Sequence, residues 1–221
     1  MHTKVVIFGA IGTAVSIAEQ IWDAQSRFGM DIEVLGFAFD DPQYQSRDIN
    51  GWKVLCGTKE AYGKYINDES VKFVFALYSA KKMEERVNLL HSYGIPSDRF
   101  LTFVHPSSFL CKSVKLDNGV IILSNCSISS NTKIGSNTII MPCAYIGHDV
   151  CIDECNFIGP RSCIGSFSHL GVGNFTGINS NIRTQKEIGK YNIIGMASNL
   201  VKSIGDYNIM VGNPAKPILK D

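Results

Sequence analysis

The sequence predicts two domains of different fold class, an α/β domain over residues 1–105 and a parallel β-helix over residues 106–221. Three observations support this division. Strand-like and helix-like segments alternate in the first half, and an aliphatic residue recurs at every sixth position in the second half. Apolar residues make up 45% of the 221 residues, which is enough to build packed cores in two small domains.

The first half has the pattern of a small Rossmann-like parallel sheet. Strand-like apolar runs lie at residues 4–8, 33–39 and 72–78, and helical spacing follows at residues 13–26 and 80–93. Strands that alternate with helices favour a parallel sheet with helices on its faces.

The second half repeats with a period of six from Leu110 to Leu200. Fifteen of the sixteen residues in this register are Ile or Leu, and the exception is Thr176. This period fits neither an α-helix nor a heptad repeat. It is typical of short strands joined by tight corners, each burying one aliphatic side chain, and it predicts a parallel β-helix of about five coils.

Composition and charge exclude several function classes. Lys and Arg number 21 and Asp and Glu number 20, so no basic excess favours nucleic acid or an anionic membrane as a partner. No apolar run approaches the roughly 20 residues of a membrane span, and the first residues resemble a buried strand rather than a signal peptide. The seven cysteines form no Cys-x-x-Cys pair. We therefore expect a cytoplasmic protein with reduced thiols and no bound metal.

Two loops of the first half are candidate nucleotide contacts. The turn Gly9-Ala10-Ile11-Gly12 joins a predicted strand to a helix, where backbone N–H groups can bind phosphate, although the dinucleotide fingerprint is incomplete. Asp40 and Asp41 end the second predicted strand, where a carboxylate can accept hydrogen bonds from a ribose or a base. The alternatives are a tight turn without a ligand and a solvated turn before Pro42.

The hexads, residues 103–107 and the closing residues 211–217 resemble the hexapeptide-repeat acyltransferases. The segments 9–12, 39–42 and Gly147-His148-Asp149 narrow the resemblance to the family of sialic-acid O-acetyltransferases and bacillosamine or perosamine N-acetyltransferases. This resemblance implies a left-handed β-helix and a homotrimer with active sites between neighbouring subunits. It also implies that the α/β domain binds a nucleotide-linked sugar and that acetyl-CoA is the co-substrate.

The same resemblance makes His148 the general base. Acyl transfer to an amine requires a group that removes a proton from the nucleophile, and imidazole, with an ordinary pKa of about 6.5, suits this task. Asp149 would stabilise the imidazolium, but adjacent residues of a strand point to opposite faces, so this pair requires a bend in the coil. Without the resemblance, His148 could equally be a surface histidine. His169 is the rival base, and His105 is expected to be structural.

The resemblance also implies two sets of binding residues. The sugar-nucleotide pocket would be lined by Ile11, Gly12, Thr13, Asp40, Asp41 and, more weakly, Gly57, and acetyl-CoA would meet Phe157, Ser166, Ile178 and Met196. Two positions depart from the family pattern. Thr13 replaces a histidine of the first loop, and Phe157 replaces a second histidine nine residues after the base. Phe157 can pack on the pantetheine chain but cannot donate a hydrogen bond.

The expected function is an acetyl-CoA-dependent N-acetyltransferase that acts on a nucleotide-linked amino sugar of the 4-amino-4,6-dideoxy type, in the synthesis of a surface polysaccharide or glycan precursor. One alternative is an O-acetyltransferase acting on a sugar hydroxyl or on sialic acid. Another is a metal-dependent hydratase of the carbonic anhydrase type, but such a site needs three histidines and only His148 and His169 lie in the repeats. The last alternative is a non-catalytic solenoid.

Overall fold

The computed structural model describes residues 2–45 and 47–218. The chain divides into two compact units, Met1–Tyr78 with Asn88–Leu101 and Ser79–Val87 with Thr102–Asp221. The fold class expected from the sequence is confirmed, because the first unit is an α/β sheet and the second is a parallel β-helix. The β-helix begins with the strand Phe103–Val104, just before the boundary expected between residues 105 and 106.

The first unit is built on a parallel four-stranded sheet of order β3-β2-β1-β4. The elements up to residue 99 are β1 (Thr3–Phe8), α1 (Thr13–Phe28), β2 (Ile32–Ala38), β3 (Val54–Cys56), α2 (Ala61–Lys64), β4 (Val71–Phe75) and α3 (Met83–Ser92), with 3-10 turns at Pro42–Tyr44, Thr58–Glu60, Ala80–Lys82 and Ser97–Arg99. Helix α1 buries Ile17, Ala18 and Ile21 against the sheet, as its helical spacing predicts. Strand β3 was not predicted, because three residues are too few to show a periodic pattern.

The strands of the second unit form three sheets. Sheet I contains β5 (Phe103–Val104), β8 (Ile121–Ile122), β11 (Ile139–Ile140), β14 (Phe157–Ile158), β17 (Phe175–Thr176), β20 (Ile193–Ile194), β22 (Ile209–Gly212) and β23 (Ala215–Pro217). Sheet II contains β6 (Phe109–Leu110), β9 (Ser127–Ile128), β12 (Tyr145–Ile146), β15 (Cys163–Ile164), β18 (Asn181–Ile182) and β21 (Asn199–Leu200). Sheet III contains β7 (Lys115–Leu116), β10 (Lys133–Ile134), β13 (Cys151–Ile152), β16 (His169–Leu170) and β19 (Glu187–Ile188).

Stacked strands pair in parallel at a spacing of 18 residues, as Ile134 does with Ile152, so three hexads make one coil. The second residue of each hexad strand is the aliphatic residue of the repeat, and these side chains form one buried column. Thr176 joins this column and is fully buried. Its hydroxyl oxygen accepts a hydrogen bond from the Gly159 N–H at 3.0 Å, so the polar atom has a partner inside the coil.

The repeat differs from the expected register at both ends. It starts one hexad earlier than Leu110, because Val104 of β5 already pairs with Ile122 of β8. The last coil is two residues shorter than the others, since Ile188 bridges Ile204, which lies 16 residues further on. Strand β23 then turns back antiparallel to β22.

The corners depend on residues in the left-handed region of backbone space. These recur every sixth position as Asn125, Asn131, Asn137, Cys143, Asp149, Cys155, Arg161, Phe167, Gly173, Asn179, Gln185, Tyr191 and Ala197, with φ between 54° and 69°. An ordinary L-residue loses roughly 1–2 kcal/mol in this conformation, and Asn, Asp and Gly lose least. The tight corners explain why short polar residues are frequent there.

The corner between sheets III and I contains a ladder of buried asparagines. The side-chain oxygens of Asn156, Asn174 and Asn192 each accept the backbone N–H of the asparagine one coil further on, at 2.9, 2.9 and 2.8 Å. The Nδ2 group of Asn156 donates to the Gly171 carbonyl at 3.0 Å. The ladder therefore gives partners to backbone groups that the corner removes from water.

Among the residues that the structure describes, no helix is both long enough and apolar enough to cross a bilayer.

Candidate active site

His148 and Asp149 lie at the corner between β12 of sheet II and β13 of sheet III. Asp149 has a φ of 56°, so the backbone turns here instead of continuing as a strand. The turn brings the two adjacent side chains together, with His148 Nδ1 2.7 Å from Asp149 Oδ2. Both side chains are partly exposed, at 46% and 37%, so a substrate can reach the imidazole. The bend that this pair requires is therefore present.

A residue of the preceding coil holds the Asp149 carboxylate in place. Asn131 Nδ2 donates to Asp149 Oδ1 at 3.1 Å. The hydrogen bond with His148 and then that from Asn131 lower the pKa of Asp149 from its ordinary value. The carboxylate therefore stays ionised and accepts a proton-bearing Nδ1, which leaves the lone pair of the neutral imidazole on Nε2. This is the tautomer that a general base requires.

Phe167 packs against His148 from the following coil. The two ring centroids are 4.9 Å apart and the rings meet edge to face at 87°. Phe167 is 54% exposed and has a φ of 60°, a strained conformation for a bulky side chain. The partly exposed His148–Asp149 pair, with Asn131 and Phe167 beside it, makes this corner the candidate active site.

Sequence reasoning missed both Asn131 and Phe167 as partners of the pair. Asn131, Asp149 and Phe167 occupy the same corner position in three consecutive coils, 18 residues apart. The signal for these partners in the sequence is therefore the spacing of one coil, 18 residues, and not adjacency.

Only one of the four residues expected to meet acetyl-CoA shares the corner of His148. Ser166 lies there, and a Cβ added to Gly147 would lie 2.6 Å from its backbone nitrogen, so glycine is required for this close approach. Ile178 and Met196 lie at the corner between sheets I and II, and they are 52% and 72% exposed.

The fourth expected acetyl-CoA residue, Phe157, lies on the outer face of sheet I. Its ring stacks on Phe175 with centroids 4.5 Å apart and an interplanar angle of 3°. The side chain is only 7% exposed in the chain. Phe157 therefore has a structural partner of its own, and it does not contribute to the corner of His148.

The residues expected to bind a nucleotide lie at the carboxyl edge of the parallel sheet in the first unit. The loop with Ile11 and Gly12 follows β1, which lies between β2 and β4, where the strand order reverses. This switch point is the usual ligand position in such sheets. Gly12 is the N-cap of α1 and supplies no side-chain cap, while Ile11 is 53% exposed and Thr13 is the first helical residue. The first N–H groups of the helix are therefore suited to an anion.

Asp40 and Asp41 have local partners that the sequence analysis did not foresee. Asp40 accepts hydrogen bonds from the Thr58 N–H at 2.8 Å and from the Thr58 hydroxyl at 2.6 Å. Asp41 Oδ1 accepts the Gln43 N–H at 2.9 Å. A Cβ added to Gly57 would lie 3.0 Å from Asp40 Oδ1, so Gly57 makes room for this carboxylate. Each carboxylate thus has a structural role, and further lone pairs remain for a ligand.

The other two histidines named from the sequence are placed differently from His148. His169 lies on the outer face of sheet III, where Nε2 is 3.1 Å from Asp153 Oδ1 and Nδ1 is 3.1 Å from Glu187 Oε2. Both ring nitrogens are therefore engaged. His105 is only 3% exposed, and its Nδ1 lies 2.8 Å from Ser107 Oγ, an arrangement that suits a structural residue.

The family model for the bacterial transferase hexapeptide (six repeats) matches residues 131–166. This segment contains His148, Asp149 and Asn131. None of the curated proteins matches the sequence.

Three solved structures share the fold over nearly the whole chain. A mutant of perosamine N-acetyltransferase from Caulobacter crescentus, in complex with CoA and GDP-perosamine, is 22% identical with a TM-score of 0.80, covering 98% of this chain and 97% of that chain. The acetyltransferase domain of PglB from Neisseria gonorrhoeae FA1090, in complex with acetyl coenzyme A, is 20% identical with a TM-score of 0.82, covering 99% and 100%. WeeI from Acinetobacter baumannii AYE is 22% identical with a TM-score of 0.68, covering 98% and 100%.

The resemblance found in the sequence is thus confirmed in the repeat and in the fold. Residues 131–166 match the bacterial transferase hexapeptide repeat, and the chain has the fold of the perosamine N-acetyltransferase and of the PglB acetyltransferase domain.

Proposed function

We propose that the protein is an acetyl-CoA-dependent N-acetyltransferase acting on a nucleotide-linked amino sugar of the 4-amino-4,6-dideoxy type, in the synthesis of a surface polysaccharide or glycan precursor. The observation that carries this proposal is the hydrogen-bonded series Asn131–Asp149–His148 at an exposed corner of the β-helix. The similar structures with bound CoA, acetyl coenzyme A and GDP-perosamine support the choice of substrates.

In the proposed reaction the sugar amine attacks the thioester carbonyl carbon while His148 Nε2 takes a proton from the amine nitrogen. Asp149 stabilises the imidazolium that results. A main-chain N–H of the glycine-containing corner stabilises the oxyanion of the tetrahedral intermediate. The C–S bond then breaks, and the imidazolium returns the proton to the CoA thiolate. The products are the N-acetylated sugar nucleotide and free CoA.

The two substrates have separate binding groups in this proposal. The phosphates bind the loop of Ile11 and Gly12 with Thr13 at the start of α1, and the nucleoside meets Asp40 and Asp41, with Gly57 beside them. Acetyl-CoA meets Ser166 near the base and the exposed apolar side chains Ile178 and Met196, while Phe157 packs on the pantetheine chain. The active form is a cytoplasmic homotrimer.

A thiol-release assay tests the proposal. Acetyl-CoA is offered with UDP-, dTDP- and GDP-linked 4-amino-4,6-dideoxy sugars and, in parallel, with the matching 4-hydroxy sugars. We expect CoA release with an amino sugar only, with the acetyl group on its nitrogen by mass spectrometry. Loss of this release in His148→Asn, but not in His2→Asn, would support His148 as the base. CoA release with a hydroxy sugar alone would favour an O-acetyltransferase, and the absence of CoA release with every acceptor offered would favour a non-catalytic solenoid.

A further inference from the structure

Sheet III carries a cluster of metal-ligating side chains that the proposed reaction does not use. Cys151 of β13 and His169 of β16 are register partners on adjacent strands. Asp153 follows Cys151 by two residues, which places it on the same outer side. The thiol, imidazole and carboxylate ligand atoms of these three residues all lie within 4.8 Å of one another.

The orientation of His169 favours coordination through one ring nitrogen. Glu187 of β19 holds Nδ1 at 3.1 Å, and Nε2 points at Asp153 Oδ1, also at 3.1 Å. A carboxylate on the far nitrogen is the arrangement that fixes the tautomer and the ring angle of metal-binding histidines. Ligand atoms 2.0–2.3 Å from a tetrahedral zinc ion are roughly 3–4 Å apart, so the cluster needs little rearrangement.

We propose that Cys151, Asp153 and His169 bind one zinc ion, with water in the fourth position and Glu187 orienting His169. A thiolate, an imidazole and a carboxylate together suit a borderline-soft ion such as Zn²⁺ rather than Mg²⁺ or Ca²⁺. Cys151 gives its proton to solvent when the Zn–S bond forms, so the thiolate and the Asp153 carboxylate balance the charge of the ion.

The surroundings leave the site open to an ion from solvent. The side chains of His169 and Asp153 are 42% and 39% exposed. Asp153 lines two neighbouring surface grooves of about 410 and 610 Å³, which contain His169 and Cys151 respectively. Burial, and then the charge of Asp153, raise the pKa of the Cys151 thiol, so the cysteine keeps its proton until an ion displaces it.

The bound ion would join two consecutive coils of the β-helix, because its ligands come from the segments of β13 and β16. It lies on the face of sheet III and not at the corner of His148, so it takes no part in the proposed reaction. No zinc was expected from the sequence, because the cysteines are not spaced along the chain as zinc ligands. The ligands proposed here are neighbours only across coils, at a separation of 18 residues between Cys151 and His169.

Titration of the full-length protein with Co²⁺ and Zn²⁺ tests the site. The metal-stripped protein in a non-thiol reducing buffer receives Co²⁺, and the near-ultraviolet charge-transfer band of a cobalt–thiolate bond is recorded. We expect one ion per chain, with the band lost on addition of zinc. Cys151→Ser should remove the band, and His169→Asn and Glu187→Gln should each weaken zinc binding about tenfold or more.

Cys163→Ser is the matched control, because Cys163 begins β15 of sheet II as Cys151 begins β13. It should keep both the band and the affinity. Zinc should raise the melting temperature of the wild type and of Cys163→Ser but not of Cys151→Ser. If Cys151→Ser does not fold, Asp153→Asn is used in its place. No band in the wild type, or an unchanged band in Cys151→Ser, would overturn the proposal. His148→Asn should bind zinc normally, which separates this site from the proposed reaction.

Discussion

The histidine–carboxylate clusters of His148 and His169, both on the β-helix, are assembled in different ways. His148 receives its carboxylate from the next residue, because the corner turns at Asp149. His169 receives carboxylates from two other hexads, Asp153 and Glu187, because it lies on a flat sheet where stacked strands are the neighbours. The first arrangement uses one ring nitrogen and the second uses both. Position within the hexad therefore decides whether a histidine is suited to proton transfer or to a fixed contact.

The largest expected effect separates the two histidines. We expect His148→Asn to lower kcat by at least about 10²-fold, the usual scale for loss of a general base, and His169→Asn to stay within about threefold. Thiol release at saturating acetyl-CoA and amino sugar measures both. A larger loss in the His169 variant would reverse the assignment.

Asp149→Asn should have the next largest effect. Losing the charged hydrogen bond to the imidazolium, roughly 1.5–3 kcal/mol, corresponds to about a 10- to 100-fold lower kcat/KM. Because its lowered pKa keeps Asp149 ionised at neutral pH, its removal destabilises the imidazolium. The acid limb of the kcat/KM profile should then move to lower pH. Asp117→Asn is the control, because Asp117 follows strand β7 of sheet III in an earlier coil. If the acid limb of the kcat/KM profile stays at the same pH in Asp149→Asn, this carboxylate does not act through the base.

Asn131→Ala should lower kcat/KM by about three- to fivefold, less than Asp149→Asn does, because it loosens the Asp149 carboxylate without removing its charge or its contact with His148. If Asn131 acts by positioning Asp149, combining this substitution with Asp149→Asn should add no further loss. Asn137→Ala, at a corner with a φ of 56°, is the matched control for the backbone effect. Additive losses in the double variant would assign Asn131 a separate role.

Phe167→Asn should have the smallest effect on activity and a measurable one on stability. Asparagine tolerates the left-handed backbone better, so the free energy of unfolding should rise by about 0.5–1 kcal/mol while kcat changes less than about fivefold. Arg161→Asn, with a φ of 58°, should show a similar gain without any change in kcat. Equal kcat values in both variants would mean that the Phe167 ring does not position His148.

Most of the β-helix could be predicted from the sequence because almost every sixth residue of the repeat is an Ile or a Leu. The buried column from Leu110 to Leu200 follows the hexads, and even Thr176 keeps its place. The shortened last coil at Ile204 could not be predicted, since nothing in the hexad pattern specifies where the coil length changes. In the α/β unit, long strands and α1 were visible, whereas β3 depends on pairing with β2.

The candidate site was only partly predictable for a related reason. The pairing of His148 with Asp149 was expected from the resemblance, but the bend that brings the two side chains together is visible only in the structure. The roles of Asn131 and Phe167 arise from stacking of coils, and the local bonds of Asp40 to Thr58 depend on a loop 18 residues away. Contacts that join distant segments have no signature in a window of neighbouring residues.

The antiparallel return of β23 has a consequence for how such molecules associate. A β-helix that simply stopped at β22 would leave a row of unpaired backbone groups, a template on which another chain could continue the sheet. Here Ala215, Lys216 and Pro217 cover β22, and Pro217 has no N–H to offer at the outer edge. Strand β23 therefore covers the edge of sheet I at β22, which disfavours end-to-end association of chains into fibres.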